Sequence, residues 1–381
     1  MEERLTDAHR GRTPGSDPGV EEVRADVHEG VGTVVLDRPA ALNAISWDML
    51  VGLRDVLEAW SRDPAVRVVV MRGADGKAFC AGGDVRQFYR HFKDAGWVDH
   101  EFFTIEYELD FRIHTYPKPV VALIDGIVMG GGMGLAQGAA LRIVGERTRM
   151  AMPETAIGLF PDVGGSYFLP RAPGAIGFYL GLAGPTIGAA DALYAGLADV
   201  YLPPASVVRL DEWVAKAAHA GDPGLALRDI AARDDRQFLD QGELDALHPT
   251  IDRHFNAPTV DAIVESLSRE HEHAEWARRT REALLRCAPL SLKVTLEQLR
   301  RGRGMGLADC FRMELDLVRS ALDHTDFFEG IRALLIDKDR KPRWDPPRLE
   351  DVRAEDVERF FGPHWPASQH PLSHLQERGN T

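Results

Sequence analysis

The stretch from Val120 to Gly138, VVALIDGIVMGGGMGLAQG, constrains the fold more than any other part of the chain. An apolar run from Val120 to Ile124 ends in a turn at Asp125-Gly126. Gly130, Gly131 and Gly132 follow in a row, with Gly134 close behind, and then residues that favour helix. The pattern predicts a buried strand, a loop, and a helix whose first turn is built from glycine. Each such glycine costs about 1 kcal/mol relative to alanine. Several together mean that something approaches the backbone closely. It is either a tightly packed neighbour, or a negative or polarised oxygen drawn to the free N–H groups and positive dipole end of a helix start. This stretch alone leaves the two readings equally open.

Strand and helix patterns alternate on either side of it. Val23, Ala25 and Val27 alternate with polar residues before His28-Glu29-Gly30, and Val31–Leu36 reads as the second strand of a pair. Ser46 is placed to cap a helix over 47–61, where Met49, Leu50, Leu53, Val56, Leu57 and Trp60 recur at helical spacing. Residues 67–72 form a strand with a wholly apolar centre, as in a sheet buried on both faces. AFCAGGDV (78–85) reads as a loop before a helix through Phe88 and Tyr89, and 100–115 as a helix stopped by Pro117 and Pro119. Short strands follow near 141–144 and 150–152, then a Pro/Gly-punctuated loop over 153–165. This order predicts an α/β domain with parallel strands and right-handed crossovers.

Pro203-Pro204 marks a boundary. From Ser206 to Ser320 the patterns are helical, for example over 207–219 and 259–285. The expected organisation is a disordered tail over 1–20, a core over 21–202, a helical region over 203–355 and a tail over 356–381, disordered from about His370.

Composition narrows the function. The 381 residues, 44% hydrophobic, suffice for a large core in one domain or two. A net charge of −14 argues against nucleic acid as a partner, while a local basic patch can still take an anionic small ligand. Cys80, Cys287 and Cys310 are few, scattered and odd in number, which predicts a reduced, cytoplasmic protein. No apolar run nears the ~20 residues that span a bilayer, and the polar N-terminus does not read as a secretory signal, so no membrane partner is expected.

Several motifs fail. The glycines at 130–134 do not make GxGxxG, because Leu135 and Gln137 stand where a third glycine would be needed. Gly76-Lys77 lacks the rest of a P-loop. Gly164-Gly165-Ser166-Tyr167-Phe168 breaks GxSxG at its last place. There is no HExxH; His271 and His273 lie in a charged stretch that reads as a solvated face, and no metal site is expected. The arginines at 278, 279, 281 and 286 read the same way, with a phosphate contact as the lesser reading.

Two glycine loops hold. Ala81-Gly82-Gly83-Asp84 follows one predicted strand and Gly130–Gly134 another. Loops at the carboxyl ends of parallel strands line one edge, where ligands bind. Each could supply one N–H to a single oxygen, and such a pair stabilises an oxyanion by several kcal/mol. Downstream, Glu154 and Asp162 stand in MPETAIGLFPDVGG (152–165), where Ile157, Leu159 and Phe160 call for burial. Carboxylates held among them would be desolvated and their pKa values raised, which suits acid–base or nucleophilic work. Capping a turn, or pairing with Arg171, is the plainer alternative.

LDRPAALNAI (36–45), FCAGGDV (79–85), IDGIVMGGGMGL (124–135) and AMPETAIGLFPDVGG (151–165) together resemble the crotonase (enoyl-CoA hydratase/isomerase) superfamily in order and spacing. PETAIGLFPDVGGSYFLPR, SLKVTLEQL (291–299) and FFEGIRALLIDKDRKPRW (327–344) are similar to its 3-hydroxyisobutyryl-CoA hydrolase subfamily, and the likeness runs over roughly residues 20–355. The resemblance implies a ββα spiral core with an extended C-terminal helical region. It implies an oxyanion hole from the backbone N–H groups of Gly83 and Gly131, gripping the thioester oxygen of an acyl-CoA. It implies catalytic roles for Glu154 and Asp162, and a substrate-binding set of Glu106, Gly131, Glu154 and Asp162. Hydratases use two carboxylates, one of which falls on Glu154 and the other on Gly134, which has no side chain. The expected activity is therefore hydrolysis of a short 3-hydroxyacyl-CoA in valine breakdown. An enoyl-CoA hydratase or isomerase, or a non-catalytic acyl-CoA-binding protein, are the alternatives. CoA is part of the substrate and no separate cofactor is implied. Arg38, Lys77 and Arg86 are candidate phosphate contacts. A trimer or hexamer, as in many crotonases, and a monomer whose helical region folds back on its own core, both stay open.

Overall fold

The computed structural model describes residues 22–96, 98–239 and 241–376. The tail over 1–20, expected to be disordered, lies outside the described residues, as do 377–381.

The strands are β1 (Val23–His28), β2 (Val31–Leu36), β3 (Val68–Gly73), β4 (Ala78–Cys80), β5 (Val120–Ile124), β6 (Ile127–Met129), β7 (Leu141–Val144), β8 (Arg149–Ala151) and β9 (Val200–Tyr201). They form a six-stranded sheet in the order β1-β2-β3-β5-β7-β9 and a three-stranded sheet in the order β4-β6-β8. The β1–β2 hairpin is antiparallel and every other pairing is parallel. Successive turns of the chain give one strand to each sheet before the next helix: β3 then β4, β5 then β6, β7 then β8. This is the expected ββα spiral. The segments at 78–80 and 127–129, read from sequence as loop, are strands of the small sheet; three residues are too few for an alternating pattern to show.

The inner strands β3 and β5 of the large sheet are buried on both faces, as their apolar residues require, while the edge strand β1 is exposed. Val69, Met71, Ala122 and Ile124 face the main core, while Val68, Val70, Val121 and Leu123 pack with Leu210, Trp213 and Val214 of the helix Leu210–Ala218. Four helices position the site: α1 (Trp47–Arg62), α2 (Val85–Ala95), α3 (Glu101–His114) and α4 (Gly131–Gln137). Ser46 caps α1, its hydroxyl accepting from the Met49 N–H at 3.0 Å.

The C-terminal half is helical, with two departures from expectation. The stretch 259–285 is two helices, Val260–Leu267 and Ala274–Arg286. Between them Glu270 is buried against His254 and accepts from the N–H groups of Glu272 and His273 at 2.7 and 3.2 Å. This carboxylate fixes the turn that leads into the second helix. The segment from His370 to 376 is packed rather than disordered. Leu372 is fully buried, and Arg312 Nη1 donates to the Leu372 and Leu375 carbonyls at 3.1 Å each. The helix Leu307–Leu322 packs on α3, and the helix Thr325–Ile331 packs on α2 and on the turn Glu154–Ile157, so the helical region folds over its own core.

Candidate active site

The site lies where the carboxyl ends of β4 and β6 meet α3 and the loop over 153–166. The loop after β4 is pinned to the chain before α1: Ile45 N–H donates to the Gly82 carbonyl at 2.8 Å and Asp84 N–H to the Ile45 carbonyl at 2.9 Å. Gly82 has φ +99°, open to glycine at little cost. β6 runs into Gly130, with φ +48° and ψ −122°, and α4 begins at Gly131. The two loops meet there. A Cβ on Gly82 would lie 3.6 Å from the Gly131 nitrogen, and one on Gly131 would lie 3.4 Å from the Gly83 nitrogen. Among the described residues neither the Gly83 nor the Gly131 N–H has an acceptor. A Cβ on Gly131 would also sit 2.3 Å from Glu106 Oε1, and one on Gly130 2.9 Å from Glu154 Oε1. Close approach of carboxyls is thus one reason for glycine at this helix start.

The structure brings Gly83, Gly131, Glu106, Glu154 and Asp162 together. Glu106, Glu154 and Asp162 are at most 5% exposed. Burial first, then the charge of Asp162, pushes Glu106 and Glu154 well above the ordinary carboxylate range. Burial also lifts Asp162, but a 2.7 Å hydrogen bond from the Tyr107 hydroxyl restrains it to about 6. Asp162 is therefore the first of the three to ionise. Neither Glu154 nor Asp162 pairs with Arg171, whose guanidinium lies over the Tyr167 ring and donates to the Tyr167 and Met305 carbonyls.

Three further side chains are not legible in the motifs. Tyr107 holds Asp162. Asp110, one turn after Glu106 on α3, fills the space beside Gly134: a Cβ there would meet Asp110 Oδ2 at 2.3 Å and Val163 Cβ at 2.7 Å. Glu314, wholly buried on the helix Leu307–Leu322, accepts from Gly164 N–H at 2.8 Å, from Ser166 N–H at 2.9 Å and from the Ser166 hydroxyl. Val163 has φ +51°, unfavourable for a β-branched residue. Strain of that kind costs about 1–3 kcal/mol and persists where the surroundings over-determine it. Glu314 binds the residues that follow. Gln298 Nε2 donates to the Pro161 carbonyl at 2.6 Å and Ala288 N–H to the Thr155 carbonyl at 3.0 Å. Helical periodicity placed Asp110 and Glu314 on helices, but nothing in it marks a buried acid. Phe88 and Phe102 form an aromatic wall next to Gly83.

Of the candidate phosphate contacts, Arg38 is occupied: it pairs with Glu22 and Asp84 and donates to the Ala44 carbonyl. Lys77 and Arg86 are exposed. Among the described residues no group of His, Cys, Asp and Glu is arranged to hold a metal ion, and no helix is long and apolar enough to cross a membrane.

The model of one protein family, enoyl-CoA hydratase/isomerase, matches residues 31–361. A Gallus gallus protein named 3-hydroxyisobutyryl-CoA hydrolase, mitochondrial, is 41% identical over 88% of this chain and 87% of its own. Its Danio rerio namesake is 39% identical over 87% and 86%. An Arabidopsis thaliana 3-hydroxyisobutyryl-CoA hydrolase 1 is 38% identical over 89% and 91%. Among solved structures, an enoyl-CoA hydratase from Rhodobacter sphaeroides superposes with a TM-score of 0.81 at 38% identity, covering 90% of this chain and 98% of that one. A carnitinyl-CoA dehydratase from Mycobacterium thermoresistibile also gives 0.81, at 37% identity over 90% and 97%. The relatives overturn the cytoplasmic placement expected from the cysteines, since those from Gallus gallus and Danio rerio are named mitochondrial. Scattered free thiols report a reducing compartment and do not distinguish one from another.

Proposed function

Because the chain belongs to the enoyl-CoA hydratase/isomerase family, we propose that it hydrolyses 3-hydroxyisobutyryl-CoA, a short 3-hydroxyacyl thioester of valine breakdown, to the free acid and CoA. The observation that carries this reading is a desolvated Glu154/Asp162 pair beside two free glycine N–H groups, with no side chain at Gly134 to complete a hydratase's carboxylate pair. Relatives named for this hydrolysis, alike along most of their length, support it.

The N–H groups of Gly83 and Gly131 form the oxyanion hole and take the thioester oxygen. Charge developing on that oxygen is met by donors already in place, at no cost of reorganisation. Glu154 acts at the acyl carbon, either by activating water or by direct attack to give an anhydride that water opens. Asp162, held as the carboxylate by Tyr107, orients the substrate hydroxyl or water, and the departing thiolate takes the proton that the attacking water releases. Glu106, its carboxyl against Gly131, binds the 3-hydroxyl. CoA enters as part of the substrate and leaves as the free thiol, its phosphates toward the exposed Lys77 and Arg86.

Thiol release from 3-hydroxyisobutyryl-CoA tests the reading. A hydratase would instead remove the enoyl absorbance of crotonyl-CoA without releasing thiol, and a binding protein would take up acyl-CoA and do neither.

A further inference from the structure

Thioester hydrolysis sets a traffic problem. The C–S bond breaks with its electron pair going to sulfur, water's oxygen bonds to the acyl carbon or, in the anhydride route, to either carbonyl carbon of the anhydride, and the thiolate takes one proton. The acid formed ionises at neutral pH. Each turnover therefore consumes one water and leaves one proton, whichever route Glu154 takes. Both must cross the protein while the acyl-CoA fills its own entrance.

A cavity of about 700 Å³ lies against the other side of the carboxyl cluster, between the end of α3, the end of α4 and residues 163–173. Its wall includes Asp110, Gly134, Val163 and Phe311, and its lining extends to the exposed His114, Ala140 and Arg171. Glu106, Glu154 and Asp162 do not line it, and Asp110 is its one acidic lining residue among the described residues. Asp110 is 2% exposed, and neither of its carboxyl oxygens has a hydrogen-bond partner in the protein. Glu106 Oε1 and Glu154 Oε2 are likewise without one. Buried polar atoms are seldom left unbonded, and where protein offers nothing the partner is ordered water. The unpartnered atoms belong to Asp110 on the cavity wall, to Glu106 one helical turn away on α3, and to Glu154. The absence of a side chain at Gly134 is what admits Asp110 to this position.

We propose that this cavity is the water inlet and proton outlet of the active site, with the Asp110 carboxyl as the relay between cavity water and the Glu106/Asp162 pair. The proposal rests on the hydrolytic reading above. The groups facing Asp110 fit the role. Burial and then the charges of Glu106, Asp162 and Glu314 hold it well above the usual range, which favours the protonated carboxyl, a group that can donate and accept at once. The arginines of the cavity wall are tied elsewhere, Arg142 to Asp199 and Arg171 to carbonyls, and do not pin the acid in its ionised form.

Asp110→Asn keeps the shape and loses the exchangeable acid; Asp110→Ala opens a space that formate can fill from the cavity. Saturating thiol-release assays should show kcat falling about tenfold or more in both variants, with KM held within about twofold. Added formate should restore Asp110→Ala and leave Asp110→Asn slow. A parental rate in Asp110→Asn, or no formate rescue of Asp110→Ala, overturns the relay while leaving the hydrolase reading intact. No thiol release by the unaltered protein overturns the hydrolase reading and the relay with it.

Discussion

The Tyr107 hydroxyl donates a 2.7 Å hydrogen bond to Asp162 Oδ2, and both residues are buried. It is the contact that separates Asp162 from its neighbours: burial alone would raise all of them together, and this bond favours the ionised form of one.

Tyr107→Phe should therefore move the acid limb of the kcat–pH profile upward. In the unaltered protein turnover is expected to rise as Asp162, its carboxyl raised to about 6, ionises. Without the donor the ionised form is less stable, and turnover near that pH should fall roughly tenfold, the worth of a hydrogen bond to a charged group. An unmoved limb would assign it to another residue.

Glu154→Ala should lose about 10²–10⁴-fold in thiol release while still binding acyl-CoA, as expected for loss of a group acting at the acyl carbon. Near-normal turnover would sink the assignment. In a single turnover of the unaltered protein in heavy-oxygen water, label retained on Glu154 marks the anhydride opened at the glutamyl carbon, and label found only in the released acid marks water bonding to the acyl carbon.

Gly134→Ala forces a methyl against Asp110 and Val163. Overpacking of this kind costs about 1–3 kcal/mol, readable as a lower denaturation midpoint. Adding Asp110→Ala should recover part of the loss, and a double-mutant cycle measures how much. Simple additivity would mean that the two positions do not share the space.

Glu314 links stability to pH. Its carboxyl ionises at the ordinary value of 4.5 when exposed, and burial raises it to about 8 in the fold. Between these values the unfolded chain has released a proton that the folded chain still holds. The stability it contributes is full below the lower value and is lost as pH rises through about 8. Glu314→Gln removes this dependence, so between about pH 5 and about pH 8.5 the variant should lose less stability than the parent. Parallel losses in denaturant titrations would refute it.

Much of this was legible in the sequence, because it rests on period and punctuation. The Ser46 cap and the apolar centre of β3 each follow a local rule that the packing obeys, whereas the alternation in β1 sits on an exposed edge strand. The glycines at 130–134 marked a close approach and left open of what. The answer is carboxyls of α3 and of the acidic loop as well as a route to the free N–H groups, and both require the third dimension. Asp110, Tyr107 and Glu314 escaped for one reason. On a helix of ordinary pattern, a buried acid differs from a solvated one only in what faces it, and that lies tens to hundreds of residues away.

The acidic loop is held from behind by Ala288, Gln298 and Glu314, all belonging to the polypeptide that carries the loop. Their local concentration is fixed by the connecting chain rather than by how much protein is in solution. The strained turn after Asp162 is thereby indifferent to dilution. A core severed near Pro203 would keep every glycine and carboxyl of the spiral and lose the fixtures that set Asp162 at its angle.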